Sequence, residues 1–435
     1  MLEKINLILW GYGTIALIMA AGLYFSVKIG FAQLHLPKIL KNTLFAKKES
    51  EQGEISRFQA LSTALAASMG TGNIVGVAAA IAVGGPGAVF WMWVSAFFGM
   101  GTAYAENFLG VTYKNKSKSK ISGSMAYLEK GLGSRKFACV FAAAAVLASF
   151  GVGNMVQSNA IAASFSTNDK LIQIVIGVIT ATAAGIFILG GTKRIAAVLE
   201  KIIPVISLFY IIGAVVVIIL NIKNIPNAFA SIISGAFGMT SVAGGISGAM
   251  IKRAVTVGLA RGIFSNEAGM GSSVFAHTET DCKDGRPGGY TAGAIMGMWA
   301  MLEVFIDTII CCTLTAFVIL SADITGSSGV TTAVITAFES GLGQFAGIFI
   351  RISTVIFAFA TILGWCFYGE KSIGYLTKNR IAKRSYSYLY IAAIALGAVL
   401  SVNFVWQLSD IFNALMLILN LFGLMYLHKE VQKPD

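Results

Sequence analysis

Residues 64–93 form an apolar stretch long enough to cross a membrane, yet Gly70-Thr71-Gly72-Asn73 interrupts it in mid-span. In hydrocarbon an unpaired peptide group costs several kcal/mol, so irregular backbone persists only where it is buried in protein or lines a cavity. A glycine-broken span is therefore a pointer to a binding site inside the membrane.

The rest of the chain supports a membrane setting. Of its 435 residues 56% are hydrophobic and 12% are charged, whereas a soluble domain carries roughly a quarter charged residues. Several windows exceed about 18 residues without a lasting charge, the mark of membrane-spanning helices. The alternation of a transmembrane barrel is absent. The chain reads as an all-α polytopic membrane protein. Eleven spans are expected, near 7–33, 58–82, 85–112, 137–165, 171–190, 196–220, 249–276, 291–320, 345–369, 385–402 and 405–427. The first is expected to be a retained helix, because no small-residue cleavage site follows its long apolar part.

A net charge of +12 would suit nucleic acid, but its distribution argues otherwise. Segments 35–57, 114–136, 192–201, 276–289, 371–384 and 428–435 hold 24 of the 32 Lys and Arg residues, all on one side in the eleven-span arrangement. The opposite loops hold Lys4, Lys170 and Lys223. The positive-inside rule makes the basic side cytoplasmic, with the N-terminus outside and the C-terminus inside. Five cysteines (139, 282, 311, 312 and 366) show no metal spacing, and the three histidines (35, 277 and 428) lie near expected cytoplasmic ends. A disulfide framework, a His-rich metal site and a His-based hydrolase are thus disfavoured.

A second interruption occurs at Gly262-Ile-Phe-Ser-Asn-Glu-Ala-Gly-Met-Gly-Ser-Ser273, which puts polar and flexible residues at membrane depth. Asn73 and Asn266 are 193 residues apart, and each break opens a group of five spans. An odd repeat length reverses orientation, so the halves are expected to be inverted-topology repeats. The expected divisions are an extra N-terminal helix with its basic loop (1–57), a first repeat (58–220), a second repeat (221–428) and a short tail (429–435).

The chemistry follows from the helix ends at each break. A half-helix starting near Asn73 offers free N–H groups and a partial positive charge, suited to a carboxylate. A half-helix ending near Ala67-Ser68-Met69 offers free carbonyls, suited to a small hard cation. An amino acid with Na⁺ is the natural pair. The plainer alternative is that these glycines only allow close helix packing, as expected for Gly99, Gly101, Gly151, Gly153, Gly244, Gly245 and Gly248. The matching break five spans later favours binding.

Six ordered motifs carry a wider resemblance: Ala67-Ser-Met-Gly-Thr-Gly-Asn-Ile-Val-Gly-Val-Ala78, Gly84-Gly-Pro-Gly-Ala-Val-Phe-Trp-Met-Trp93, Ala105-Glu-Asn-Phe-Leu-Gly-Val-Thr-Tyr113, Gly153-Asn-Met-Val-Gln157, Gly262-Ile-Phe-Ser-Asn-Glu-Ala-Gly-Met-Gly-Ser272 and Thr361-Ile-Leu-Gly-Trp-Cys-Phe-Tyr-Gly-Glu370. With them the chain resembles the alanine or glycine:cation symporters, the sodium:alanine symporter family. The resemblance implies a leucine-transporter-like five-plus-five inverted repeat with one extra N-terminal helix, eleven in all. It implies Na⁺-coupled uptake of alanine or glycine through the plasma membrane. The residues themselves supply no nucleophile with a positioned base, so no enzyme is expected; membrane lipid is the expected surrounding, and no obligate protein partner is evident. By the same resemblance Gly70, Thr71, Gly72 and Asn73 meet the substrate carboxylate, and Gln157 lies beside the substrate, where its amide oxygen can accept from the ammonium. Trp365 walls the pocket, and Asn266 and Met270 face the substrate from the second break. Phe264 and Ser265 stay unassigned, since rotation about an unwound segment cannot be read from sequence. The implied Na⁺ ligands are the carbonyls of Ala66, Met69 and Ala358 and the Thr361 hydroxyl. Ser353 and Thr354, about two turns away, are poorer choices.

Four intramembrane carboxylates need partners or water. Glu106 is expected to accept stranded N–H groups of an unwound segment. Glu267 is expected to do likewise or to pair with Arg261. Glu303 and Asp307 stand at i and i+4 on one helix face, where a shared proton is conceivable. Salt bridges to Arg253 and Arg261 are the plainer reading.

Overall fold

The computed structural model describes residues 5–6, 9–37, 55–117, 121–165, 169–238, 244–280, 290–322, 330–400 and 402–434. Within them the named elements are all helices, and an isolated parallel bridge pairs Ile55 with Thr280. In chain order the main helices are α1 (Tyr12–Lys28), α2 (Arg57–Ser68), α3 (Val75–Gly84), α4 (Gly87–Ser117), α5 (Met125–Lys130), α6 (Arg135–Phe150), α7 (Val156–Ser164), α8 (Lys170–Ile188), α9 (Thr192–Leu220), α10 (Ile225–Phe237), α11 (Gly244–Asn266), α12 (Val274–His277), α13 (Ala292–Val304), α14 (Thr313–Ser321), α15 (Val330–Leu342), α16 (Ala346–Leu376), α17 (Arg380–Gly397) and α18 (Val402–Tyr426).

A helix, or a helix in two pieces, lies over each of the eleven expected spans. Among the described residues, seven helical stretches are long and apolar enough in one piece to cross a membrane. Starts are set by side-chain caps. Ser56 and Gln59 form a capping box on α2, and Asp169, Thr291 and Asn379 each accept a first-turn N–H of the helix that follows. Such caps satisfy donors that have no partner within the helix. Outward faces of α8 and α9 expose Ile179, Val205, Ile219 and Leu220, a surface suited to lipid rather than water.

Two helices fall where the sequence reading has loops: α10 and α15, of 13 residues each. At 1.5 Å per residue each is only about 20 Å long, too short to register as a span. The α10 helix lies against α4 and α14, and α15 lies against α9, α3 and α16.

Two expected spans contain a π-helical turn, at Gly151–Met155 between α6 and α7 and at Phe305–Cys312 between α13 and α14. Such a turn inserts a residue into the 3.6 repeat, re-aims the side chains after it and is frequent at functional sites. The Gln157 amide donates to the Val152 carbonyl at 3.1 Å, within the first π turn.

The long helices α4 and α16 organise the interior. The α4 helix packs against α1, α11 and α13, and α16 against α2, α6, α7 and α9. Small residues permit these approaches. A Cβ on Gly101 would come within 2.6 Å of Ser26 Oγ, one on Gly151 within 2.5 Å of Ser409 Oγ, and one on Gly99 within 3.1 Å of the Ala268 Cβ. Gly153 lies directly against the Trp365 side chain. Gly248 corrects the expectation of close packing, because nothing lies within 4 Å of its added Cβ. The surroundings of Gly244 and Gly245 lie outside the described residues, as does Cys282. Gly153→Ala should therefore destabilise the protein by about 1–3 kcal/mol, while Gly248→Ala is neutral or slightly stabilising. Thermal unfolding of the purified variants in detergent measures the difference, and equal midpoints would contradict this packing.

Candidate functional site

The first broken helix begins as α2 and loses its hydrogen-bond ladder after Ser68. Met69 and Gly70 depart from helical geometry, Thr71–Asn73 make one 3₁₀ turn, and α3 resumes at Val75. The Asn73 side chain holds this turn together. Its Oδ1 accepts from the Gly70 N–H at 3.2 Å, and its Nδ2 donates to Asp307 Oδ1 at 2.8 Å and to the Asp307 carbonyl at 3.0 Å. The Gly70 N–H also points to the Ser68 carbonyl at 2.9 Å. Gly70 and Asn73, both expected at the substrate carboxylate, are thus engaged within the protein.

The N–H groups of Thr71 and Gly72 make no hydrogen bond among the described residues. Both residues line a cavity of about 460 Å³, and nothing stands within 4 Å of an added Cβ on Gly72. This cavity also draws on Ser265, Phe264 and Arg261 from α11, and on Trp406 and Asp410 from α18. Ser164, Val330 and Gln407 in its lining place its mouth on the face away from the basic loops.

On the other side of the break, the Thr361 hydroxyl of α16 lies 2.8 Å from the Ala66 carbonyl, 3.0 Å from that of Phe357 and 3.5 Å from that of Met69. A hydroxyl has one proton to donate, so three carbonyls around it form a set richer in acceptors than in donors. That is the chemistry of a hard-cation site. Ala66, Met69 and Thr361, expected together, are brought together; Ala358 is buried one turn before Thr361 on α16. No group of three or more His, Cys, Asp or Glu suited to a metal occurs among the described residues. A Cβ on Gly70 would stand 2.9 Å from Thr361 Oγ1 and 3.3 Å from Gln157 Oε1, so this glycine keeps the two sides of the break in contact. Gln157 Oε1 in turn accepts from the Thr71 hydroxyl at 3.4 Å.

The second broken helix ends α11 at Asn266 and restarts as the single turn α12. Glu267 (φ 55°), Gly269 (φ 87°) and Gly271 (φ 72°) adopt left-handed backbone, which glycine tolerates without strain. Glu106 Oε2 accepts the Gly271 N–H at 3.0 Å, and Asn420 donates to both Glu106 and the Gly269 carbonyl at 2.8 Å. The expected role of Glu106 as acceptor for an unwound segment is what the structure shows. Glu267 is held by Ser272 (2.6 Å) and Trp365 Nε1 (3.2 Å), not by Arg261, which lies over the Trp406 ring.

Asp307 departs most from expectation. Neither Arg253 nor Arg261 pairs with it. Its Oδ1 accepts from Asn73, and its Oδ2 accepts from Ser265 and Thr308 at 2.7 Å each, so it joins the first break to the second. Thr315 adds a bond to the Asn73 carbonyl at 2.8 Å. Asn266 donates to Thr308 at 3.3 Å and accepts from the Ala268 N–H. Trp365 and Met270 are buried at 0% and 1% exposure, beneath the cavity lining rather than in it. Phe264 and Ser265, left unassigned in the sequence reading, and Arg261, read there only as a salt-bridge partner, line the cavity together from positions i+3, i+4 and i on one face of α11. That spacing is the signal that could have found them.

Toward the basic loops the two breaks are sealed. Lys371 contacts Glu279 at 2.7 Å, Ser122 also bonds Glu279, and the Gly123 N–H donates to Thr278 Oγ1 at 2.8 Å. The Ile55–Thr280 bridge joins the two broken helices at their ends nearer the basic loops.

Comparison with known proteins agrees with this architecture. The sodium:alanine symporter family model matches residues 1–434. An uncharacterized transporter of Haemophilus influenzae is 40% identical, over 99% of this chain and 94% of that protein. The sodium/alanine symporter AgcS of Methanococcus maripaludis is 39% identical over 98% and 94%. The probable sodium/glutamine symporter GlnT of Bacillus subtilis is 38% identical over 98% and 87%. In fold, the chain is similar to MhsT, solved in complex with L-phenylalanine, with a TM-score of 0.50, 13% identity and coverage of 87% and 90%. That likeness is to a leucine-transporter-type helical fold. The chain is a membrane transporter, not an enzyme, and it belongs to the sodium:alanine symporter family.

Proposed function

We propose that this protein is a secondary-active symporter that couples Na⁺ influx to uptake of small neutral amino acids, alanine and glycine, by alternating access. One observation carries the reading: a single helix break presents two unpaired N–H groups to a cavity and, on its other side, a carbonyl-rich nest around a hydroxyl. An amino-acid carboxylate suits the first and Na⁺ the second. In this scheme the Thr71 and Gly72 N–H groups take the carboxylate, while Gly70 and Asn73 fix the shape of the turn. Gln157 Oε1 accepts from the substrate ammonium. Asn266, Met270 and Trp365 support the floor from below and limit side-chain size. Ala66, Met69, Ala358 and Thr361 hold Na⁺. The two breaks would head inverted five-helix repeats, at 58–220 and 221–428, that rock about this centre, with the basic loops in the cytoplasm.

The relatives' names divide between alanine and glutamine, so substrate size is tested directly. Uptake of labelled alanine or glycine into proteoliposomes should require an inward Na⁺ gradient and should be competed by the other small amino acid far better than by glutamine. Uptake that follows pH and ignores Na⁺ would assign the driving ion to H⁺ instead. Accumulation that never exceeds equilibrium would indicate a passive carrier.

Two substitutions test the cation nest and its junction with the substrate side. Thr361→Val should weaken half-saturation by Na⁺ by about tenfold or more, equivalent to ~1.4 kcal/mol or more, with alanine affinity recovered at saturating Na⁺. Gly70→Leu should abolish alanine binding, because its side chain must displace Thr361 or Gln157. Calorimetric titration checks both, and wild-type affinity in Gly70→Leu would refute the placement.

A further inference from the structure

Four buried carboxylates occupy the centre of the bundle, and three of them are well supplied with donors. Glu106, Glu267 and Asp307 each accept two or more hydrogen bonds. Glu303, on α13 and 3% exposed, accepts none among the described residues. Its neighbour is His277, at the end of α12 and 0% exposed, with Nε2 3.7 Å from Glu303 Oε2. Neither ring nitrogen of His277 has a hydrogen-bond partner among the described residues. The Tyr368 hydroxyl of α16 is likewise buried without a hydrogen bond there and lies within electrostatic reach of Glu303.

Leaving such groups unpaired at membrane depth costs about 1–3 kcal/mol each, and more for a bare carboxylate. One proton shared by the pair removes the net charge and gives Glu303 and the His277 Nε2 a partner in each other. It leaves either a neutral acid beside a neutral ring or an imidazolium beside a carboxylate, and both have zero net charge. A separation of 3.7 Å closes to a hydrogen bond with a small side-chain rotation. The other groups around the pair offer no competing cation. Glu106 of α4, Glu267 in the second break and Asp307 in the π turn are acidic and act electrostatically on Glu303. Lys371 is committed to Glu279, and Lys114 bonds the Thr278 carbonyl. The α2 helix brings no titratable side chain except Arg57 at its start.

Position ties this site to conformation. His277 immediately precedes Thr278, Glu279 and Thr280, which form the seal on the basic-loop face. Opening that seal would bring water to α12. We propose that His277 and Glu303 form a proton-binding site behind the seal, holding one proton while the seal is shut and releasing it when the seal opens. The site lies apart from the carbonyl nest at Thr361, and the proposal rests on the transporter reading only in taking the seal to be a moving part.

Labelling of the full-length protein tests it without reference to substrate. A cysteine in place of the buried seal residue (Thr280→Cys) is reacted with a charged maleimide in membranes. Its rate, read by peptide mass spectrometry, is divided by that of an exposed control (Lys378→Cys) to cancel thiol ionisation. Losing the proton should loosen the seal, so the ratio should rise by about tenfold between about pH 5.5 and 8.5. Glu303→Gln and His277→Gln should each abolish that rise, and one folded variant suffices. A ratio flat with pH in the parent overturns the proposal before either variant is made. A rise that persists unchanged in a folded variant overturns it equally. Failure of the Na⁺ and amino-acid assignment would appear separately, as absent Na⁺-driven uptake, and leaves this ratio untouched.

Discussion

Every peptide group unwound inside a membrane must find a partner, and here the partners determine which groups stay open. At the second break the demand is met from neighbouring helices. Glu106 takes the Gly271 N–H, Asn420 reaches the Gly269 carbonyl, and Ser124 donates to the Gly271 carbonyl at 3.0 Å. At the first break the demand is met only in part. Asn73 captures the Gly70 N–H, while the Thr71 and Gly72 N–H groups turn to the cavity. Two unsatisfied donors in hydrocarbon would be severely destabilising. They are tolerable because the cavity gives water or a solute access to them. One break is therefore satisfied within the protein, while the other, in the proposed scheme, is completed by the substrate.

Asp307 makes the two breaks a single unit. Its carboxylate receives Asn73 from one and Ser265 from the other, and among the described residues no Arg or Lys pairs with it. A carboxylate with only neutral donors holds its neighbours by directional bonds that break singly, so the junction can rearrange stepwise. A solute that alters the turn at Asn73 changes the bond to Asp307 and, through it, the end of α11. This gives occupancy of the first break a physical route to the second, which coupling between sites requires.

The sequence shows the two breaks plainly, because glycine and polar residues clustered within an apolar window interrupt a helix that hydrocarbon otherwise enforces. It also shows the spans and the service of Glu106, since a membrane carboxylate beside an unwound segment has an obvious use. What it hides has physical causes. The α10 and α15 helices carry too few residues to register as spans. The 3.6 repeat puts Glu303 and Asp307 on one face, but the π turn starting at Phe305 separates their surroundings, leaving one with three donors and the other with none. Trp365 is found in an apolar run, and only the structure reveals that its indole is spent on Glu267, over Gly153. Composition and spacing report which residues are at depth, whereas rotation about a broken helix decides what each one faces.

The two faces of the molecule differ in how they are closed. Toward the basic loops the seal is polar: Lys371 with Glu279, Ser122 with Glu279, Thr278 with the Gly123 backbone. Once this face admits water, each such hydrogen bond is exchanged for one to water, and the net worth of a typical bond in that exchange is only about 0.5–1.5 kcal/mol. The walls beneath are apolar and tightly packed, with Phe275 stacked between Phe141 and Tyr368. Opening this face by sliding the walls apart would expose that packing and cost far more than parting the polar seal. Rigid movement of a packed unit, with the polar contacts exchanged for water, is the cheaper path. The ends of both broken helices nearer the basic loops meet in that seal through Ile55 and Thr280, so such a movement must carry the breaks with it.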